Sequence, residues 1–346
     1  MADGWFEGLP YPFVDMRPQG FLGRSFARQN GGRLNVSDNP AEWSDDDIVA
    51  VLAECCSDLP GNLIVGARAA AAFLAEVGQE LAVCRETDVA VRYPELAARA
   101  MAGSVAGSSA GGEFPKFTVV REQEGRTYHA IVKFSGNAPS TAVRRWSDLL
   151  HCEQRAASIL RHSLQIPSVA STTVEAGGRT FLEIERFDRH GAHGRSAVCT
   201  LSSLDAALVG SSDSDWTRVV RRLGKITALE PGLIETVDLL WWFGELIANS
   251  DMHKGNLAFT PGPRLGLAPA YDMLPMRYAP ARSGEVPHPV FEPRTPLPEF
   301  QGTWKIASAA AIQFWDEVNA DTHIDAGLRA IAETNAGSLR KLRERL

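Results

Sequence analysis

Apolar residues in the first hundred positions recur at helical spacing in short runs. Ser44 precedes Asp45, Asp46 and Asp47, and Ile48, Val51, Leu52 and Cys55 follow at intervals of three and four, which predicts a capped helix. From 102 to 112 nearly every residue is small ("AGSVAGSSAGG"). Two runs rich in β-branched and aromatic residues come next, "KFTVV" and "TYHAIVKF", with "EQEG" between them as a hairpin turn. A helical period runs from 140 to 162, and "SVASTTVE" and "RTFLEIERF" again read as strands. Beyond the polar, Gly-containing "DRHGAHGRS", a candidate hinge, the pattern is mainly helical. Its most apolar stretch, "VDLLWWFGELIA" at 237–248, has no polar face and predicts a buried helix. Leu257 to Thr260, the turn "PGPR" and Leu265 to Ala268 then predict a short antiparallel hairpin.

This order of elements predicts an α+β chain of two lobes, the N-terminal one mixed and the C-terminal one mainly helical. Residues 1–100 read as an N-terminal subdomain, 101–190 as the strand-rich lobe and 191–346 as the helical lobe. A cleft between such lobes is a common ligand site.

Composition narrows the function classes. The 346 residues are 45% hydrophobic and 22% charged, with a formal charge of −7, which disfavours a surface built to grip nucleic-acid backbone. The basic runs "RVVRRLGK" at 218–225 and "RKLRERL" at 340–346 read as solvated helix faces. Five cysteines without C-x-x-C spacing suit a reducing cytosol. The amino terminus lacks the charged and apolar regions of a signal peptide, and "LIVGARAAAAFLAEVG" is interrupted by Arg68 and Glu76, so a cytoplasmic protein without a membrane span is expected.

The chemistry concentrates in "IANSDMHKGNLAF" at 247–259, where Asn249, Asp251, His253, Lys254 and Asn256 crowd between apolar neighbours. The predicted hairpin would bring Asp272 of "PAYDMLP" back beside Asn256. Buried carboxylates without partners are costly, so two carboxylates and a carboxamide call for a cation or a proton to transfer. Magnesium takes hard oxygen ligands and bridges them to phosphates. The spacing Asp251-x-x-x-x-Asn256 is that of a kinase catalytic loop, though an Asx-capped turn between helix and strand gives the same letters. Lys133 in "AIVKF" is either an edge lysine or the strand lysine that pairs with nucleotide phosphates. Glu153 lies on the helical stripe Trp146, Leu150, Glu153, Ala157, Leu160, where a charge needs a partner such as Lys133 or must reach water. The small-residue run before Lys116 can lay backbone N–H groups on phosphates. No Walker A loop or dinucleotide fingerprint occurs, and "GSSAG" lacks the strand that a G-x-S-x-G nucleophile elbow requires.

Together these residues resemble the HipA family of serine/threonine kinases, the toxins of bacterial toxin–antitoxin pairs. "PYPFVDMRPQGFLGR" resembles the family's N-terminal "LLPEG" region, "SSAGGEFPKF" its phosphate loop, "IVKF" its lysine strand and "EIERFDR" its hinge. "SDMHKGN" is similar to its D-x-H-x-K-N catalytic loop and "LAPAYDMLP" to its metal-binding segment. The wording is most similar to a YjjJ-like branch. The resemblance implies a bilobal protein-kinase-like fold and an ATP- and magnesium-dependent Ser/Thr protein kinase, with Asp251 as catalytic base and Asn256 and Asp272 as magnesium ligands. It implies Gly111, Gly112, Lys116 and Lys133 at the phosphates, Glu153 paired with Lys133, and Glu185, Arg186 and Phe187 at the adenine. His253 and Tyr271 would lie beside the nucleotide, and Ser109 would be an autophosphorylation site. A protein substrate, such as an aminoacyl-tRNA synthetase, and a helix-turn-helix antitoxin are the implied partners. A small-molecule phosphotransferase and a nucleotide-binding regulator without catalysis are the alternatives. Phe114 stands where the family has glutamine, the loop reads H-K-G-N, and the given residues open almost at the "LLPEG"-like region.

Overall fold

Strands β1 (Val83–Arg85), β2 (Lys116–Gln123), β3 (Arg126–Phe134), β4 (Ser171–Ala176) and β5 (Arg179–Glu185) form one sheet in the order β1-β2-β3-β5-β4. The structure is a computed structural model that describes residues 8–55, 58–102 and 114–346, so Ser109, Gly111 and Gly112 lie outside the described residues. Neighbours are antiparallel except β1, which runs parallel to β2. Gln123 faces Arg126 across a two-residue turn whose Glu124 and Gly125 both have positive φ, the geometry that matches strand twist.

Alternation splits β3 between two faces. Tyr128, Ala130, Val132 and Phe134 point to the back, where they pack with Phe117, Phe181 and helix α5, introduced below. Lys133 points to the front.

Helices α1 (Tyr11–Val14), α2 (Gly20–Leu34), α3 (Asp45–Cys55) and α4 (Ala67–Val77) build the N-terminal subdomain around Met16, Trp43, Ile48, Val51 and Leu52. The predicted cap of α3 is reciprocal: Ser44 Oγ accepts from the Asp47 N–H at 3.1 Å, and Asp47 accepts from the Ser44 N–H at 2.9 Å. Helix α5 (Val89–Ala102) covers the back of the sheet. Residues 83–100, grouped by sequence with the N-terminal subdomain, thus pack with the strand-rich lobe. The cause is a buried polar cluster: Glu183 of β5 accepts from the hydroxyls of Tyr93 and Tyr128 and, at 2.9 Å, from Arg121 Nε. Arg121 also reaches the Cys84 carbonyl at 2.7 Å, which ties β1 to the sheet.

Helix α6 (Thr141–His162), capped by Ser140, crosses the front of the sheet. "DRHGAHGRS" forms a small hairpin of β6 (Arg189–His190) and β7 (Gly194–Arg195). In the C-terminal lobe, β8 (Cys199–Thr200), β9 (Ala258–Thr260) and β10 (Gly266–Leu267) pair in the order β10-β9-β8, with β9 and β10 forming the predicted hairpin. Helices α7 (Leu201–Leu204), α8 (Trp216–Leu223), α9 (Leu233–Leu246), α10 (Gln301–Ala320) and α11 (Ala326–Arg343) complete the lobe. Its core is aromatic, with Trp216, Phe243, Tyr278, Trp304, Phe314 and Trp315 fully buried. Among the described residues no helix is long and apolar enough to cross a membrane.

One buried carboxylate works against stability. Asp148 of α6 is inaccessible, one of its oxygens has no hydrogen-bond partner, and burial pushes its carboxyl up to about 6 despite the Asp325 N–H and the Arg144 and Arg145 guanidiniums. An acid raised in the folded state stabilises below its unfolded value and loses that contribution as pH rises through the folded one. Asp148→Asn should therefore stabilise the protein by about 1–3 kcal/mol near pH 7.5 and by almost nothing near pH 4. Thermal unfolding at the two pH values checks this.

Candidate active site

The site begins where the buried helix α9 ends. After the C-cap Ile247, Ala248 takes a left-handed backbone (φ 59°), and the chain turns sharply into the polar loop. Asn249 is buried and holds that loop together. Its Oδ1 accepts the Asp251 N–H at 3.1 Å, and its Nδ2 donates to the Asp272 carbonyl at 3.3 Å. Asn256 secures the loop from the other end by donating Nδ2 to the Asp251 carbonyl at 2.8 Å. Asp251 is thus fixed through its backbone by two carboxamides and is itself exposed. Asn249 was visible in the sequence as one of the polar crowd but had no role there, because nothing local indicates that it reaches residue 272.

The β9–β10 hairpin returns the chain as expected. Tyr271 donates its hydroxyl to the Gly255 carbonyl at 2.7 Å, and Asp272, also left-handed (φ 60°), turns its carboxylate to Lys133 Nζ at 2.5 Å. Lys133 donates in addition to both oxygens of Glu153 on α6, at 2.7 and 2.8 Å. One amine thereby joins the sheet, α6 and the C-terminal lobe. The side chains of Lys133 and Glu153 are almost wholly buried, and that of Asp272 is about one-third exposed. Burial opposes every charge in the triad, with different outcomes. The two carboxylates overcome it at Lys133 and raise its amine well above the usual lysine range. At Asp272, Lys133 and Lys116 overcome burial and hold the carboxyl below its ordinary value. At Glu153 burial wins and the carboxyl is raised.

Beside the triad lies an apolar wall of Val169, Leu182, Ile184 and Leu274, extended by Phe187 and Tyr271, whose rings stack at 6.0 Å. Phe114 is part of it. Its ring meets Trp146 edge-on at 4.7 Å and lies 5.7 Å from Lys133 Nζ, so Phe114 packs as core. Lys116 begins β2 directly opposite Lys133.

Two expected site residues, Glu185 and Arg186, have their side chains engaged elsewhere. Glu185 forms a two-point pair with Arg126 at 2.6 and 2.7 Å. Arg186 binds Asp188 and Asp58, and Arg189 joins them at 2.8 Å to Asp58 and to Asp188, while the Gly61 N–H donates to Asp188. Arg186, Asp188 and Arg189 of "ERFDR" therefore clasp the N-terminal subdomain to this segment. Lys254 also turns away: its amine binds the buried Asp205 and the Ser211 carbonyl. His253 is exposed, and its Nδ1 accepts the Gly255 N–H at 3.1 Å. A Cβ at Gly255 would stand 2.9 Å from that ring, which gives the glycine in H-K-G-N a steric reason.

The floor of the loop is equally tight. A Cβ at Gly244 of α9 would overlap the Met252 sulfur and crowd Met273. Gly244→Ala should cost about 1–3 kcal/mol through overpacking, against the gain that alanine normally brings to a helix, and chemical denaturation measures it.

Known proteins share this architecture. Residues 1–74 match the YjjJ-like toxin middle domain, and residues 108–332 match the HipA-like C-terminal domain. The chain belongs to the HipA-like toxin family. It is 36% identical over 350 residues to Toxin YjjJ of Escherichia coli (strain K12), spanning 100% of this chain and 78% of that protein. The HipA of Shewanella oneidensis MR-1, solved with HipB and its operator DNA, superposes with a TM-score of 0.53 at 14% identity, over 97% of this chain and 84% of that one. The two-lobed, kinase-like α+β fold read from the sequence is the fold of this HipA-like chain.

Proposed function

We propose that this chain is an ATP- and magnesium-dependent serine/threonine protein kinase of HipA type, a cytoplasmic growth-regulating toxin restrained by a helix-turn-helix antitoxin. The observation that carries the reading is the meeting of Glu153 and Asp272, from different lobes, on the single amine of Lys133. A lysine so placed is the recurring phosphate-contacting group of kinases. The donors suit magnesium: Asp272 is held ionised and partly open, and Asn256, whose Nδ2 is used by the loop, has Oδ1 to offer. Among the described residues no three His, Cys, Asp or Glu are grouped to hold a metal alone, which fits an ion shared with nucleotide phosphates. When bound, magnesium would neutralise charge on the transferred phosphoryl group.

The chain's own residues divide the remaining work. Lys133 exchanges Asp272 for phosphate oxygens while keeping Glu153. The wall of Val169, Ile184, Leu274, Phe187 and Tyr271 takes the adenine, with only the backbone of Glu185 and Arg186 available to it. Asp251 orients the acceptor hydroxyl and receives its proton, while Asn249 and Asn256 hold its backbone. Gly111, Gly112 and Lys116 meet the phosphates, and Ser109 is the self-modified residue. The complex of the Shewanella HipA with HipB supports an antitoxin partner. Resemblance alone suggests an aminoacyl-tRNA synthetase as substrate. A second reading, a nucleotide-binding regulator without catalysis, draws on the burial of Phe114 in the phosphate-loop position.

Incubation with γ-labelled ATP, magnesium and a host lysate separates the readings. Acid-stable label on protein serine or threonine is expected. Label confined to small molecules would make the chain a small-molecule phosphotransferase, and tight ATP binding without transfer would make it a regulator.

A further inference from the structure

Helix α6 carries Glu153, and in kinases the position of this helix decides whether the lysine–glutamate pair forms. Its opposite face is fastened to the C-terminal lobe at the turn 321–325 between α10 and α11. Arg155 Nη2 binds Asp321 at 2.9 Å, and that carboxylate is buried to 4% exposure. Arg144 donates to the His323 carbonyl at 2.5 Å, Asp148 accepts the Asp325 N–H at 3.0 Å, and the rings of His151 and His323 stack at 5.5 Å.

Positions 144, 148, 151 and 155 are spaced i, i+4, i+7, i+11 and form one stripe along about three turns. Glu153 belongs to the stripe on the other side of the helix. Asp321 also accepts the N–H and ring Nδ1 of His323, and Asp325 caps α11, so the turn is itself built to hold its shape. The hydrogen bonds, ion pair and ring stack that join α6 to this turn end on Asp321, His323 and Asp325, apart from the bonds that Lys133 makes to Glu153 and Asp272.

We infer that the turn 321–325 is a positioning element that docks α6 from behind and so holds Glu153 on Lys133 before any nucleotide arrives. Glu153 and Lys133 then remain paired without an external signal, and loosening the turn frees Lys133 from a distance. The consequence for ATP rests on the kinase reading above. The consequence for the reactivity of Lys133 does not.

The test is the double variant Arg144→Ala with Arg155→Ala, in the full chain, with two readouts. Amine labelling of Lys133, located by mass spectrometry, should accelerate about tenfold, and ATP affinity should fall by a similar factor, as expected if two ties together contribute about 1.4 kcal/mol. Arg155→Lys alone, which keeps the charge beside Asp321, should label at the wild-type rate. Arg340→Ala, which cuts the exposed Arg340–Asp316 pair between α10 and α11, should change neither. Faster labelling in a protein whose wild type fails to bind ATP would support the positioning role and count against the kinase reading. If the double variant does not fold, Asp321→Asn is read in the same way, since it keeps an acceptor for His323. A folded variant that labels at the wild-type rate overturns the inference.

Discussion

Asp251→Asn should lower phosphoryl transfer about 10²- to 10⁴-fold, the span attributed to a positioned general base. Fold and ATP affinity should stay near wild type. The loop backbone is held by carboxamides: Asn249 accepts the Asp251 N–H and Asn256 donates to the Asp251 carbonyl, and a carboxamide at 251 keeps both bonds. The exposed side chain adds little to a core that lies behind it in Met252 and Leu257. Transfer rates and calorimetric ATP affinity, measured on the same preparations, check both halves. Affinity lost in step with rate would place Asp251 in nucleotide binding instead.

Lys133→Met should have the largest effect on stability as well as on nucleotide binding. It removes the hydrogen-bonded counter-charge from the buried Glu153 and from Asp272, leaving them the more distant charge of Lys116. Breaking a buried pair from one side costs about 3–5 kcal/mol, more than the methionine recovers by packing. The pH dependence carries a sign. Burial already raises the Glu153 carboxyl, and without Lys133 it rises further. The variant's deficit should therefore shrink as pH falls and Glu153 takes up its proton, and grow as pH rises through the raised value. Equal melting temperatures for variant and wild type at neutral pH would contradict the buried triad.

What the sequence made legible was whatever depends on local period. The alternation of "TYHAIVKF" put Lys133 on the face away from Val132 and Phe134, and the helical stripe put Glu153 on the inner face of α6; the pairing at 2.7 Å follows from those two periods. The turn "PGPR" likewise sufficed to return Asp272 to the polar loop. Strand β1 and helix α5 were placed with the wrong neighbours because their attachment runs through Arg121 and Glu183, dozens of residues away. The charges of "ERFDR" were legible as unusual but not as a clasp, since Asp58 lies 128 residues before Arg186. Lys254 is the same case. The H-K-G-N order already set it apart from the family's lysine, but its partner Asp205 lies on another segment and was not legible. Sequence period predicts which side of an element a group occupies, whereas ion-pair partners are fixed by the packing of distant elements.

The clasp and the α6 dock have a common consequence for the cleft. The hinge strand is held by the N-terminal subdomain through Asp58, and α6 is held by the C-terminal lobe through Asp321. Both supports of the triad lie outside it. Substitutions at either should alter nucleotide affinity before they alter the proton-transfer step at Asp251.

The most direct test of the central claim is the consumption of ATP γ-phosphate with magnesium and protein acceptor by wild type, Asp251→Asn and Lys133→Met under one set of conditions. The account predicts transfer by wild type alone, with Asp251→Asn binding ATP silently and Lys133→Met failing to bind it. Equal transfer by all three proteins would contradict it.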